Sequence, residues 1–142
     1  GQKHFRFFLP RPRLIRGRNG SGGTKLMTLE LKPVQALALW QDVVVETVRR
    51  EGPDLSSRQL AILLTVYLTS PPHTVRGLAT ALNVSKPAIT RALDALGQLE
   101  LLKRKRDDAD RRNVLVQRTV KGSVFLRDFA DLVTSIAGRL EA

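Results

Sequence analysis

From Lys32 onward, apolar and polar positions recur with a helical beat that is interrupted several times by proline, serine or glycine. The first beat runs from about Lys32 or Pro33 to Glu51. Its polar positions Gln35, Asp42, Glu46 and Arg49 share one helical face, while Val34, Leu37, Ala38, Trp40, Val44, Val45 and Val48 fill the remainder. An apolar stripe that wide exceeds the need of a half-buried surface helix, so the pattern predicts burial on two sides, by its own domain and by a second subunit. A second helix opens at Leu55-Ser56-Ser57-Arg58-Gln59-Leu60. There Ser56 and Gln59 have capping-box spacing and Leu55 can staple onto Leu60. It ends near Ser70-Pro71-Pro72.

A third helix takes Thr74 as its cap, turns Leu78, Ala79 and Leu82 inward, and leaves through a tight turn at Asn83. The fourth starts at Ser85, tolerates Pro87 in its first turn, and buries Ile89, Leu93, Leu96 and Leu99. Two short apolar segments, Leu99–Leu102 and Val114–Val116, flank the charged run from Arg104 to Arg112 and predict a β-hairpin with that run at its tip. Thr119 or Val120 begins a last helix with Phe125, Phe129, Leu132, Val133, Ile136 and Leu140 on one face. The expected fold is mainly α with a small β-hairpin wing, a winged helix-turn-helix joined to a helical dimerisation region. Its parts are a basic arm over residues 1–30, a dimerisation helix over 31–54, the winged helix over 55–118 and a C-terminal dimerisation helix over 119–142.

Charge placement sharpens the picture more than charge size. The chain of 142 residues carries a formal +11. Residues 1–29 hold seven Lys/Arg and no acid, and Leu101–Lys121 hold eight basic residues against three acidic. Basic patches attract polyphosphate, and nucleic acid is the usual partner. Pro10–Arg13 and the glycine-rich Gly17–Gly23 should form no core of their own. Yet Phe5, Phe7 and Phe8 are too apolar for a simple DNA-seeking tail, which predicts that the arm docks on a partner subunit and leaves Arg11, Arg13, Arg16 and Arg18 free for phosphate.

The absence of cysteine excludes disulfides, thiol redox sensing and thiolate metal sites, and the two histidines, His4 and His73, cannot build a metal site unaided. His73, in a loop after Pro71-Pro72, reads as a surface residue. No signal-peptide stretch or transmembrane span is legible, so no membrane partner and a cytoplasmic setting are expected. No cofactor is implied.

If Ile89, Leu93 and Leu96 point inward, helical periodicity turns Lys86, Thr90, Arg91 and Asp94 outward. Ser85 and Lys86 lie at the positive end of that helix, which favours phosphate. Thr90 can meet a thymine methyl or a phosphate, and Arg91 can bond guanine bidentately or grip the backbone. In the wing, Asp110 is placed to orient a neighbouring guanidinium, while a narrow minor groove draws arginine in. An ordinary solvated turn would have similar Asp-rich chemistry.

The order and spacing of Leu78-Ala79, Ser85-Lys86-Pro87, Thr90-Arg91 and Arg104 through Arg112 closely resemble the MarR family of bacterial transcriptional regulators. The resemblance covers roughly Leu55 to Gly122 and is most specific in the wing. It implies that Asp110 and Arg112 are a matched pair with Arg112 entering the groove, and that Arg111, Arg104 and Arg106 contact phosphate or stabilise the hairpin. It also implies a small-molecule effector as a partner, for which Trp40 and Tyr67 are the aromatic candidates; core packing is the plainer role for both. The chain departs from the family at Glu100, where a glycine usually ends the recognition helix, at Gly77 in place of an acid, and at Arg118 in place of an aliphatic residue. Only about twenty residues follow Gly122, so the expected dimer leans on helix one, the arm, or both.

The function expected is a homodimeric, sequence-specific regulator of transcription on pseudo-palindromic double-stranded DNA, responsive to an effector in some members. A nonspecific or architectural nucleic-acid binder is the alternative, and a pure protein–protein adaptor remains open because winged helices are reused that way. An enzyme has little support, since no acid–base motif and no phosphate loop ahead of a helix is present.

Overall fold

The structure, a computed structural model, describes residues 30–140. The arm over residues 1–29, with the docking expected of Phe5, Phe7 and Phe8, lies outside the described residues. The elements run α1 (Pro33–Arg49), α2 (Ser57–Leu68), β1 (His73–Thr74), α3 (Val75–Leu82), α4 (Lys86–Gln98), β2 (Leu102–Arg106), β3 (Val114–Arg118) and α5 (Val120–Arg139).

Local capping explains most of these boundaries. Ser56 Oγ accepts from Gln59 N at 3.2 Å while Gln59 Oε1 accepts from Ser56 N at 2.9 Å, the reciprocal capping box expected of α2. Thr74 Oγ1 accepts from Gly77 N at 2.9 Å and starts α3. Asn83 ends it in the left-handed region at φ 53°, a conformation that its short polar side chain tolerates. Ser85 Oγ accepts from Ala88 N at 3.2 Å and starts α4, with Pro87 in the first turn.

The helices and strands close on a core of Ile62, Leu63, Leu78, Ile89, Leu93 and Leu96, each at most 2% exposed. Leu101, Leu102 and Val116 extend it beneath the sheet. The sheet differs from the expected hairpin in two ways. It has three strands in the order β1-β3-β2, all antiparallel, with His73 opposite Val116 and Arg104 opposite Val116 on the other side. Its second strand begins at Leu102 rather than Leu99. Leu99 caps α4, and Leu101 N donates back to Leu96 O at 3.0 Å. These residues are apolar because they close the core at a helix exit, not because they pair across a sheet.

A second, smaller cluster joins α1 to α5 through Val43, Leu132 and Ile136, with Leu39, Phe129 and Val133 around them. The expected apolar face of α5 is largely consumed here, whereas α1 presents only one edge to it. Val34, Leu37, Trp40, Val44 and Val48 lie in a stripe on α1 and are exposed, Leu37 at 71% and Trp40 at 60%. Their spacing places them on one side of the helix, away from Val43.

Candidate nucleic-acid interface

The outer face of α4 is set by what its inner face buries. With Ala88, Ile89, Ala92, Leu93 and Leu96 packed inward, Lys86, Thr90, Arg91 and Asp94 are all exposed. Ser85 and Pro87 are exposed as well, but their part is local: the serine oxygen caps the helix and the proline fixes its first turn. The helix dipole places partial positive charge beside Lys86.

The wing puts its cations in two settings. Arg104 and Arg106 lie on β2 rather than at the tip, which begins after Arg106. Arg104 Nη2 donates to Asp94 Oδ1 on α4, so this arginine braces the recognition helix against the strand. Arg106 and Arg111 are exposed.

At the tip, Asp107 Oδ1 accepts from Ala109 N at 2.9 Å and Asn113 O accepts from Asp107 N at 3.2 Å, closing the turn. Asp110 Oδ1 accepts from both the backbone N of Arg112 at 3.1 Å and its Nε at 3.3 Å. The expected matched pair is formed. It orders the arginine while leaving its side chain 85% exposed. An ion pair so open to water contributes little to stability; its consequence is direction.

These elements meet at one trough, lined among others by Arg76, Lys86, Thr90, Arg104, Arg112 and Asn113. The structure thus brings together Lys86, Thr90, Arg104 and Arg112 of the expected site. Sequence reasoning missed Arg76 and Asn113. Arg76 carried a readable signal, standing in the first turn of α3 just after its Thr74 cap. The position of Asn113 depends on the closed tip and had none.

Trp40 and Tyr67 are not brought together as walls of a cleft. Tyr67 packs on the main core and its hydroxyl is committed to the backbone of Leu101 and Thr119. Trp40 stands in the bare stripe of α1. A concave site between the end of α1, the loop that follows it and α5 instead involves Thr47, Arg50, Phe125, Asp128, Phe129 and Leu132. His73 is half-buried, with Nε2 3.2 Å from Thr69 O. Among the described residues, no group of His, Asp or Glu side chains is arranged to hold a metal ion, and no helix is long and apolar enough to cross a membrane.

Helix, turn, capped second helix and a charged three-stranded wing define a winged helix-turn-helix. The family model of the MarR family matches residues 55–114, from the residue before the cap of α2 to the first residue of β3. Solved structures share the architecture. A mutant of MepR from S. aureus is 20% identical with a TM-score of 0.63, over 74% of this chain and 75% of that one. The transcriptional regulator BldR from Sulfolobus solfataricus is 28% identical with a TM-score of 0.54, over 74% of this chain and 76% of that one. CouR, a transcriptional repressor bound to a 23-mer DNA duplex, is 28% identical with a TM-score of 0.58, over 74% of this chain and 72% of that one. No curated protein sequence matches. Residues 55–114 are thus similar in sequence to the MarR family and fold as a winged helix-turn-helix.

Proposed function

We propose that the protein regulates transcription by binding double-stranded DNA as a homodimer on a pseudo-palindromic site. The observation that carries this reading is the shared trough: Lys86 and Thr90 of α4 and the Asp110-held Arg112 line one concave, cationic surface. In this reading α4 lies in the major groove, where Thr90 and Arg91 meet base edges. Lys86, Arg106 and Arg111 contact phosphate, and Arg112 enters the flanking minor groove. Ser85 and Pro87 hold the helix start, and Arg104 keeps wing and helix in register. The relative bound to a 23-mer duplex supports the same use of this fold.

The bare stripe of α1 supports a dimer, because a contiguous exposed apolar patch commonly marks an interface. A second copy would place two α4 helices on half-sites about one helical turn apart. A small-molecule effector would fit the cleft beside Phe125 and Phe129 better than the separated Trp40 and Tyr67. Selection of bound duplexes from a random pool, followed by competition at fixed salt, tests the proposal. A two-fold-symmetric site that beats random duplex by about a thousandfold is the expected result. Equal binding to all duplexes would instead establish the nonspecific, architectural role.

A further inference from the structure

One hydroxyl joins three elements of the fold. Tyr67, near the end of α2, accepts from Thr119 N at 2.9 Å. Its proton is shared between the carbonyls of Thr119 at 2.9 Å and Leu101 at 3.1 Å. Leu101 follows the exit of α4, and Thr119 is the cap of α5. Thr119 Oγ1 in turn donates to Glu100 O at 2.7 Å and accepts from Gly122 N at 3.0 Å. A side chain at Gly122 would overlap both the Tyr67 hydroxyl and the Leu101 carbonyl, so the first turn of α5 is seated directly on this joint. From the opposite side, Arg118 donates to Val66 O at 3.0 Å and Thr69 O at 3.1 Å. Its guanidinium lies 5.6 Å from the centre of the Tyr67 ring.

A phenylalanine ring would fill the same half-buried space. What the hydroxyl adds is confined to bonds between elements, none of them within α2. We infer that Tyr67 is a positioning residue: its hydroxyl fixes the angle at which α5 leaves the recognition-helix and wing unit, and so sets the separation of the two recognition helices. The inference rests on the DNA-binding dimer proposed above. The lever is long. α5 has 20 residues, about 30 Å at 1.5 Å per residue. By that length, about 5° of play at its base shifts the far end by about 2.5 Å, most of the ~3.4 Å step between base pairs.

The test uses the full chain, wild type and Tyr67→Phe, on the duplex selected from the random pool and on versions with one or two base pairs inserted or removed between half-sites. Dissociation constants are measured at one salt concentration, alongside affinity for random duplex and the dimer constant. A change of about one base pair in half-site spacing should cost wild type about tenfold or more. Y67F should lose less than about threefold on the same change, with dimer constant and random-duplex affinity within about twofold of wild type. A Y67F protein that keeps the wild-type spacing ratio, or weakens equally on every spacing, overturns the inference while leaving the DNA-binding reading intact. A wild type without a preferred spacing overturns both. Should Y67F fail to fold, Thr119→Val decides: Thr119 Oγ1 ties the cap of α5 to Glu100 O at the exit of α4, and releasing it should flatten the spacing preference likewise. An unchanged preference in T119V would then sink the inference.

Discussion

Arg112 and Glu100 show how far a single side chain can be read in isolation. The pairing of Asp110 with Arg112 was implied by the family resemblance, whereas the residues alone said only that Asp110 could orient a neighbouring guanidinium; the turn brings the two within 3.3 Å. Arg112→Ala should weaken binding to the selected duplex by about 1–3 kcal/mol, the worth of one good groove contact. The melting temperature should barely move, because truncating an exposed side chain costs at most about 0.5 kcal/mol. Full-strength binding by R112A would refute the wing's role.

The partner of Arg104 was not legible. Asp94 stands ten positions away on another element, and only the packing of β2 against α4 brings them together. Glu100 was legible as a departure but not as a conformation: it sits in the left-handed region at φ 59°, where a Cβ is strained. Glu100→Gly should therefore raise stability by about 0.5–1 kcal/mol in denaturant titration, the relief of strain outweighing the extra freedom of the unfolded chain. A loss of stability would show that the exposed contact with Lys121 outweighs the strain.

At the scale of elements, α2, α3 and α4 followed directly from the sequence because their starts are fixed by local hydrogen bonds from Ser56, Thr74 and Ser85. Strand boundaries did not follow. β1 is two residues long and exists only because β3 offers it an edge, and the run Leu99–Leu102 is apolar for the sake of the core beneath it. The recognition helix itself gives a sharper experiment than any boundary. Lys86→Ala should weaken all duplexes alike and lower the dependence on salt by about one counterion. Arg91→Ala should relax the preference at one base in each half-site, seen by repeating the selection. Uniform loss in both would favour the nonspecific reading.

For the whole molecule, the surplus of apolar positions on α1 was visible in the sequence, but its distribution was not. Two faces were expected to be shared between neighbours, and the chain covers only the edge carrying Val43. α5 spends its stripe on that edge, which no periodicity within either helix could reveal. Leu37→Glu, at a site already exposed in the single chain, should leave the winged helix folded and weaken the dimer by more than about tenfold, about 1.4 kcal/mol or more. Sedimentation at micromolar concentration reads this directly, and an unchanged dimer would clear α1 of the role.

The two hydrophobic clusters then have unequal lives. The larger is closed by five elements, whereas Val43, Leu132 and Ile136 alone are fully buried in the smaller. Three side chains are a thin return for ordering the 17 residues of α1 against backbone entropy of about 1–2 kcal/mol each. Dilution should therefore melt α1 before the winged helix, giving two thermal transitions of which only the lower climbs with protein concentration. In the dimer proposed above, the amount of protein in solution would act as a signal in its own right, since a scarce chain would keep the proposed DNA-reading surface yet lose the frame that holds two such surfaces in phase.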